Sequence, residues 1–295
     1  MDGRQLLMLI LAALDRQESD LPLLHERRLY DSLETAIAIF IHRTTILRDS
    51  ITITTVAGQD TYALPASFIR PVVHAGRNSP PALRYTTSDG SDSQLVAKAT
   101  DAAIFRQTPS GLPAIPACWT IIRHPGTTST LTATATGNGP NAGGASALIA
   151  DNLTQFLPRD FVRNVTRRAD GIVIGSPVSG QLPTAMFPRG QASWRSGDQF
   201  VVRSAAREQL QLSTPAVADG DTITLPSLVL PLPVYHDHGH LPLSPESCMA
   251  IAGYAAWLFA QTKGITASAT LPTLFAEEIK QTRITRAQTV LHNGG

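Results

Sequence analysis

The sequence predicts an α+β protein, with N- and C-terminal helices packed with a small antiparallel sheet, plus an inserted all-β domain. Three observations predict it. Apolar residues recur at helical spacing near the two ends of the 295-residue chain. They alternate with period two just inside those ends, and from Gly126 the composition shifts to Thr, Gly, Ala, Pro and Ser. On this reading the chain divides into a discontinuous helical/β adaptor body, residues 1–125 and 205–295, and an inserted β-domain, residues 126–204. Single cores stop growing near ~250–300 residues, so a chain of this length suits two modest ones.

Taken in order, Gly3 to Arg16 places Leu6, Leu7, Ile10, Leu11 and Leu14 on one helical face. A second helix is expected from about Leu24 to Leu47, with Leu29, Leu33, Ile37, Phe40 and Ile41 as its stripe. The period then changes: Ile51 and Ile53 alternate with Thr52 and Thr54, and Ala57-Gly58-Gln59-Asp60 reads as the turn of a β-hairpin that returns through Thr61 to Pro65. Short strands are expected at Ile69 to His74 and Ala82 to Tyr85, and Ser88 to Ser93 reads as loop. In the inserted stretch, Leu131, Ala133 and Ala135 alternate, and Gly137 to Gly144 reads as a linker. Phe161 to Val165, Gly171 to Ile174 and Asp198 to Val202 follow as strands. Ile223, Leu225 and Leu228 return to the body. Ser244 and Pro245 supply an N-cap and a first-turn proline for a helix ending at Gly264. A last helix runs from about Pro272 to Leu291, with Glu277 and Glu278 early and Lys280, Arg283 and Arg286 late, in accord with the helix dipole.

Composition narrows the function classes. Hydrophobic residues make up 43% and charged residues 16%, a balance that fills a core and leaves a weakly charged surface suited to burial against neighbours. A formal charge of +1 argues against a dedicated DNA-binding surface, which needs clustered Lys and Arg. Transient contact with DNA stays compatible with it. Cys118 and Cys248 fall far short of a disulfide framework and are expected to be buried thiols in a reducing cytoplasm. The run Leu6 to Leu14 has acidic Asp2 before it and Asp15, Arg16 and Gln17 after it, so it reads as a helix and not as a signal-peptide core. No apolar run reaches the ~20 residues needed to cross a bilayer, and a soluble protein is expected.

Motifs for chemistry are sparse. His236-Asp237-His238-Gly239-His240 is the sharpest candidate metal site, because imidazole and carboxylate ligate transition metals, but spacing alone is weak evidence and a polar loop before the Ser244 helix is the preferred reading. Glu277 with Glu278, or Asp49 with Asp60, lack the separated, contrasting environments that an acid–base pair requires. There is no Gly-x-Ser-x-Gly elbow and no phosphate-binding Gly-x-x-x-x-Gly-Lys. Asn152-Leu153-Thr154 and Asn164-Val165-Thr166 match glycosylation acceptors, which a cytoplasmic protein would not use. No cofactor and no enzymatic activity are expected.

The order helix, long helix, Ile51-Thr52-Ile53-Thr54-Thr55-Val56-Ala57-Gly58-Gln59-Asp60-Thr61-Tyr62-Ala63-Leu64-Pro65, then Phe68 to Val72, resembles the opening of tailed-phage head-to-tail adaptors of the tail tubular protein A type. The likeness resumes from about Leu210, where Ser247 to Gln261 and Pro272 to Val290 resemble that family's closing helix pair. Outside the Ile51–Pro65 segment it is a likeness of pattern. Phe161-Val162-Arg163-Asn164-Val165-Thr166, Gly171-Ile172-Val173 and Trp194-Arg195-Ser196-Gly197-Asp198-Gln199-Phe200 resemble a β-module of phage virion proteins. Here Arg159 stands where glycine is usual, and Arg167 to Gly171 replaces a tighter turn.

The resemblance implies a connector or neck subunit that forms a ring, usually a dodecamer, between the portal protein and the tail tube or nozzle, with a channel for DNA ejection. Its place would be the virion, after assembly in the host cytoplasm. It implies portal binding through the C-terminal segment, with Arg283, Ile284, Arg286, Val290 and Leu291 as the candidate residues, and tail fibres as possible partners of the β-domain. Small residues on the third helix suggest a subunit interface at Ala252, Gly253, Ala256 and Trp257, against the plainer alternative of a core within one chain. A second functional reading is a β-rich fibre-anchoring or carbohydrate-binding virion module.

Overall fold

A computed structural model describes residues 1–21, 26–72, 81–99, 115–123, 130–139, 141–142, 145–187, 193–204, 207–235 and 239–292. The described residues form four α-helices: α1 (Gly3–Ala13), α2 (Glu26–Thr44), α3 (Pro245–Lys263) and α4 (Leu271–His292). The strands are, in chain order, β1 (Arg48–Thr54), β2 (Thr61–Ala63), β3 (Phe68–Pro71), β4 (Ala82–Thr86), β5 (Ser93–Lys98), β6 (Cys118–Arg123), β7 (Thr130–Thr134) and β8 (Asn141–Ala142). They continue with β9 (Ala145–Ile149), β10 (Phe161–Asn164), β11 (Ala169–Val173), β12 (Gln181–Phe187), β13 (Gln199–Arg203), β14 (Glu208–Leu212) and β15 (Thr222–Val229).

The expected α+β class with a small sheet is corrected: the protein is mostly β, built on one sheet of eight strands and another of seven. Several strands carry no period-two signature, which is why the sheets looked small. In β12 the burial runs through four consecutive residues and a proline, Pro183, stands within the strand, while β5 is exposed at Ser93, Gln94 and Leu95. Such segments read as loop unless their partners are known.

The chain forms two compact units. One comprises Met1–Ile46, Thr128–Ala205 and Leu230–Gly295, and the other Leu47–Thr127 and Ala206–Val229. The helices therefore share a unit with the seven-stranded sheet.

In that unit the strand order is β7-β13-β10-β11-β12-β9-β8, antiparallel throughout. Leu148, Phe156, Val162, Leu182, Trp194, Phe200 and Val202 fill its core, with Trp194 edge-on to Phe200 at 6.1 Å. The Trp194 indole N–H donates to the Thr184 hydroxyl at 2.9 Å, so the buried ring keeps a polar partner. Helix α1 starts with a capping box, in which the Asp2 carboxylate accepts from the Gln5 N–H and the Gln5 side chain accepts from the Asp2 N–H. The apolar stripes read from the sequence are buried: Leu6, Leu7, Ile10 and Leu11 on α1, and Leu29, Leu33, Ile37, Phe40 and Ile41 on α2. No helix among the described residues is long and apolar enough to cross a membrane.

In the other unit the order is β1-β15-β4-β5-β6-β14-β2, with β3 also on β15 and one parallel pair, β5 with β6. The hairpin expected at Ile51 to Pro65 is corrected, because β1 pairs with β15 and β2 with β14. The turn between them lies along the chain as well: Gly58 N–H donates to the Ala216 carbonyl at 3.0 Å, and Thr55 N–H to that of Asp221 at 2.8 Å. Residues 48–63 thus run antiparallel to residues 209–228 through two strand pairs and the turn hydrogen bonds between them. Ile223 and Leu225 offer an alternating partner about 170 residues away, which local turn chemistry cannot reveal. Tyr62, Leu83, Tyr85, Trp119, Leu210, Ile223 and Leu225 form this unit's core.

Candidate interaction surface

Helix α3 organises the helical layer. Its Ser244 side chain caps the first turn by accepting from the Ser247 N–H at 3.2 Å, Pro245 occupies the first turn, and Gly264 ends it in the left-handed region at φ 65°. Ile251, Ala252, Ala255, Ala256, Phe259 and Ala260 are fully buried, and α3 packs on α1, α2 and α4. Small side chains permit that close approach. A Cβ on Gly253 would stand 3.1 Å from the Leu271 side chain, so glycine is what admits the start of α4. Tyr254 stacks on Phe275 at 4.1 Å between centroids, and Ser247 Oγ donates to Glu278 Oε1 at 2.6 Å.

Between α3 and α4 a groove remains, with a cavity of about 560 Å³ lined by Glu246, Met249, Gly253, Leu271, Leu274 and Glu277 among others. Met249 and Leu274 are each 52% exposed, although both side chains are large and apolar. Among its lining residues Glu246 and Glu277 are exposed as well. Covering an apolar side chain of this size gains ~1.5–3 kcal/mol, so Met249 and Leu274 leave that much unused at the groove.

The residues singled out from the sequence are dispersed. Ala252 and Ala256 are 0% exposed within one chain, Gly253 is buried, and Trp257 is half-buried against Tyr254. Their small size therefore serves packing inside the chain, and the exposed apolar residues nearby are Met249 and Leu274. Arg286 Nη1 donates to the Thr44 carbonyl at 3.0 Å, the Thr45 carbonyl at 2.5 Å and the Thr45 hydroxyl, closing the C-terminal end of α2. Arg283 and Ile284 are exposed on α4. The side chains of Val290 and Leu291 lie outside the described residues, as do His236 and His238. His240 Nε2 is 3.0 Å from the Met1 amine, and no group of three or more metal-ligating side chains occurs among the described residues.

Two buried carboxylates were not singled out by sequence reasoning. Asp198 accepts from Asn164 Nδ2 at 2.9 Å, Arg167 Nε at 2.8 Å and the Arg195 N–H at 3.0 Å. Burial pushes its carboxyl up, but these donors outweigh burial and hold it below the ordinary aspartate value. Asp221 accepts from the Tyr85 hydroxyl at 2.6 Å and the Ser88 N–H at 2.8 Å. Desolvation first, and then this carboxylate, raise the Tyr85 phenol well above its usual range. The signal for the first site was present, because Asn164 and Asp198 both fall in the segments that resemble the virion β-module. Both arrangements hold strands together and present no open, chemically reactive group.

A scan against protein-family models finds no match, and no curated protein sequence matches the chain.

Proposed function

We propose that the chain is a structural virion protein, a head-to-tail adaptor subunit that assembles as a ring, a dodecamer, between portal and tail and leaves a channel for genome passage. The carrying observation is the groove between α3 and α4, where Met249 and Leu274 stand half-exposed. A subunit that functions only in an assembly keeps such surface for its neighbours. The resemblance of residues Ile51 to Pro65 and of the closing helices to the adaptor family supplies the particular assembly. In this reading the exposed Arg283 and Ile284, continued by Val290 and Leu291, face the portal, while Arg286 fixes the helix that carries them. The tail tube or nozzle takes the opposite face, and the protein resides in the virion neck.

The test is the mass of the purified full chain by light scattering, alone and mixed with its cognate portal protein. A ring-sized complex with the portal is expected, reduced at least tenfold in yield by Arg283→Glu combined with Ile284→Asp. A chain that never joins the portal overturns the reading, and binding to a glycan array would then favour the carbohydrate-binding module.

A further inference from the structure

The α3–α4 groove needs an occupant, and the same helical layer carries one on a different helix. On α1, Arg4, Met8 and Ala12 are exposed and follow one another at four-residue spacing. Met8 is 43% exposed and the Arg4 side chain 53%. Residues at i, i+4 and i+8 form a continuous ridge on a helix, the element that fits between the ridges of another helix or into a groove between two. The ridge is basic at its N-terminal end, with Arg4, and apolar beyond it, with Met8 and Ala12. The groove carries apolar Met249, Leu271 and Leu274, and its charged lining is acidic on balance, with Glu246, Glu277 and Glu278 against Lys280. Shape class and charge are therefore complementary.

Helices α1 and α4 each pack against α3 and not appreciably against each other, so ridge and groove occupy different flanks of the layer. One chain cannot bring its own ridge into its own groove. We propose that the groove receives helix α1 of a second copy, with Met8 seated against Met249 and Leu274 and with Arg4 facing Glu277. The inference rests on the adaptor reading for its biological setting, but its geometry stands on these two surfaces. Two different patches meeting head to tail make a heterologous contact, which generates a ring when the rotation closes. Arg4 already lies 4.0 Å from Glu18, but both side chains are about half exposed, so water screens that pair and the arginine can turn to a new partner.

Charge exchange tests this without touching either unit's core. In the full-length protein, Glu277→Arg alone and Arg4→Glu alone are each expected to weaken self-association at least tenfold, measured by light scattering and sedimentation across a concentration series. Mixing the two variants is expected to restore it, because each groove then meets a ridge of opposite sign in alternation. Met8→Asp supplies an independent disruption that mixing with Arg4→Glu does not repair, because both chains then carry an altered ridge. Circular dichroism confirms that every variant is folded.

Unchanged association of both single variants, or loss that mixing fails to rescue, overturns the contact. A wild-type chain that stays a single copy both alone and with portal also overturns it. Portal binding is scored separately. Rings on the portal that ignore these substitutions leave the adaptor reading standing without this contact, whereas rescued self-association with no portal binding leaves the contact standing without the adaptor reading.

Discussion

The two sheets solve one problem in opposite ways. Each buries an aspartate among its strands, Asp198 in the seven-stranded sheet and Asp221 in the eight-stranded one, at 4% and 2% exposure. Asp198 is fed by an amide, a guanidinium and a backbone N–H, donors that favour the charged carboxylate. Asp221 instead receives a phenol and one backbone N–H. The difference teaches where each unit is vulnerable. Charge is stabilised in the first, whereas in the second the proton is retained on Tyr85.

The largest effect is expected from Asp198→Ala. It strands Asn164 Nδ2, the Arg195 N–H and a partly buried guanidinium, and costs ~3 kcal/mol, the low end for breaking a buried pair because Arg167 keeps some water. Urea unfolding, with hydrogen exchange read at β10 and β13, locates the loss. The pH dependence follows from the lowered carboxyl. Stability from Asp198 is fully present above the unfolded aspartate value of about 4 and is lost as pH falls through the lower folded value. The acid limb of the wild-type stability curve should therefore be steeper than that of Asp198→Asn. Identical limbs would remove the contrast between the sheets.

Tyr85→Phe should cost less, ~1 kcal/mol, because one phenol donor is lost and Asp221 keeps the Ser88 N–H. The sign in pH is reversed. A phenol raised in the folded state contributes stability that is complete below the unfolded value of about 10 and disappears as pH rises toward the folded one. The variant should therefore flatten the alkaline limb of stability in the eight-stranded unit, read by exchange at β4 and β15. The buried Tyr235, itself raised by desolvation, keeps an alkaline limb in the other unit.

What the sequence disclosed divides along the same line. The helices were legible because their signals are local: the α1 and α2 stripes, the Ser244 cap and the Gly264 stop all stand within a few turns of one another. Strands β10 and β11 were also legible, being neighbours in the chain that pair directly. In the eight-stranded sheet β1, β2, β3, β4 and β15 were legible as strands, but their pairing was not. Its β1 pairs with residues 222–228, its β2 with residues 209–211, and the local turn at Ala57 to Asp60 suggested a hairpin that long-range pairing overrides. The groove was half legible. The small residues of α3 pointed to close packing, but only the packing of α1, α2 and α4 around that helix shows that Ala252 and Ala256 are consumed inside the chain while Met249 and Leu274 remain outside.

The smallest expected effect probes how helices and sheet are joined within the first unit. Arg159 has φ 77°, a region that favours glycine, and glycine is usual at this place in the module that the segment resembles. A side chain there costs ~1–2 kcal/mol. The arginine offsets that cost by donating from Nε and Nη2 to Glu34 on α2, at 3.1 and 3.0 Å, and from Nη2 to the Pro231 carbonyl at 2.8 Å. Its buried Nη1 has no hydrogen-bond partner among the described residues, which reduces the gain. Arg159→Gly relieves the backbone and loses the ion pair, two opposed terms of similar size, so a net change under ~1 kcal/mol is expected. Arg159→Ala loses the pair and keeps the strain, and should be less stable than the glycine variant by ~1 kcal/mol. Equal stability of the two variants in urea unfolding would show that the pair, and not the backbone, sets the cost at this position.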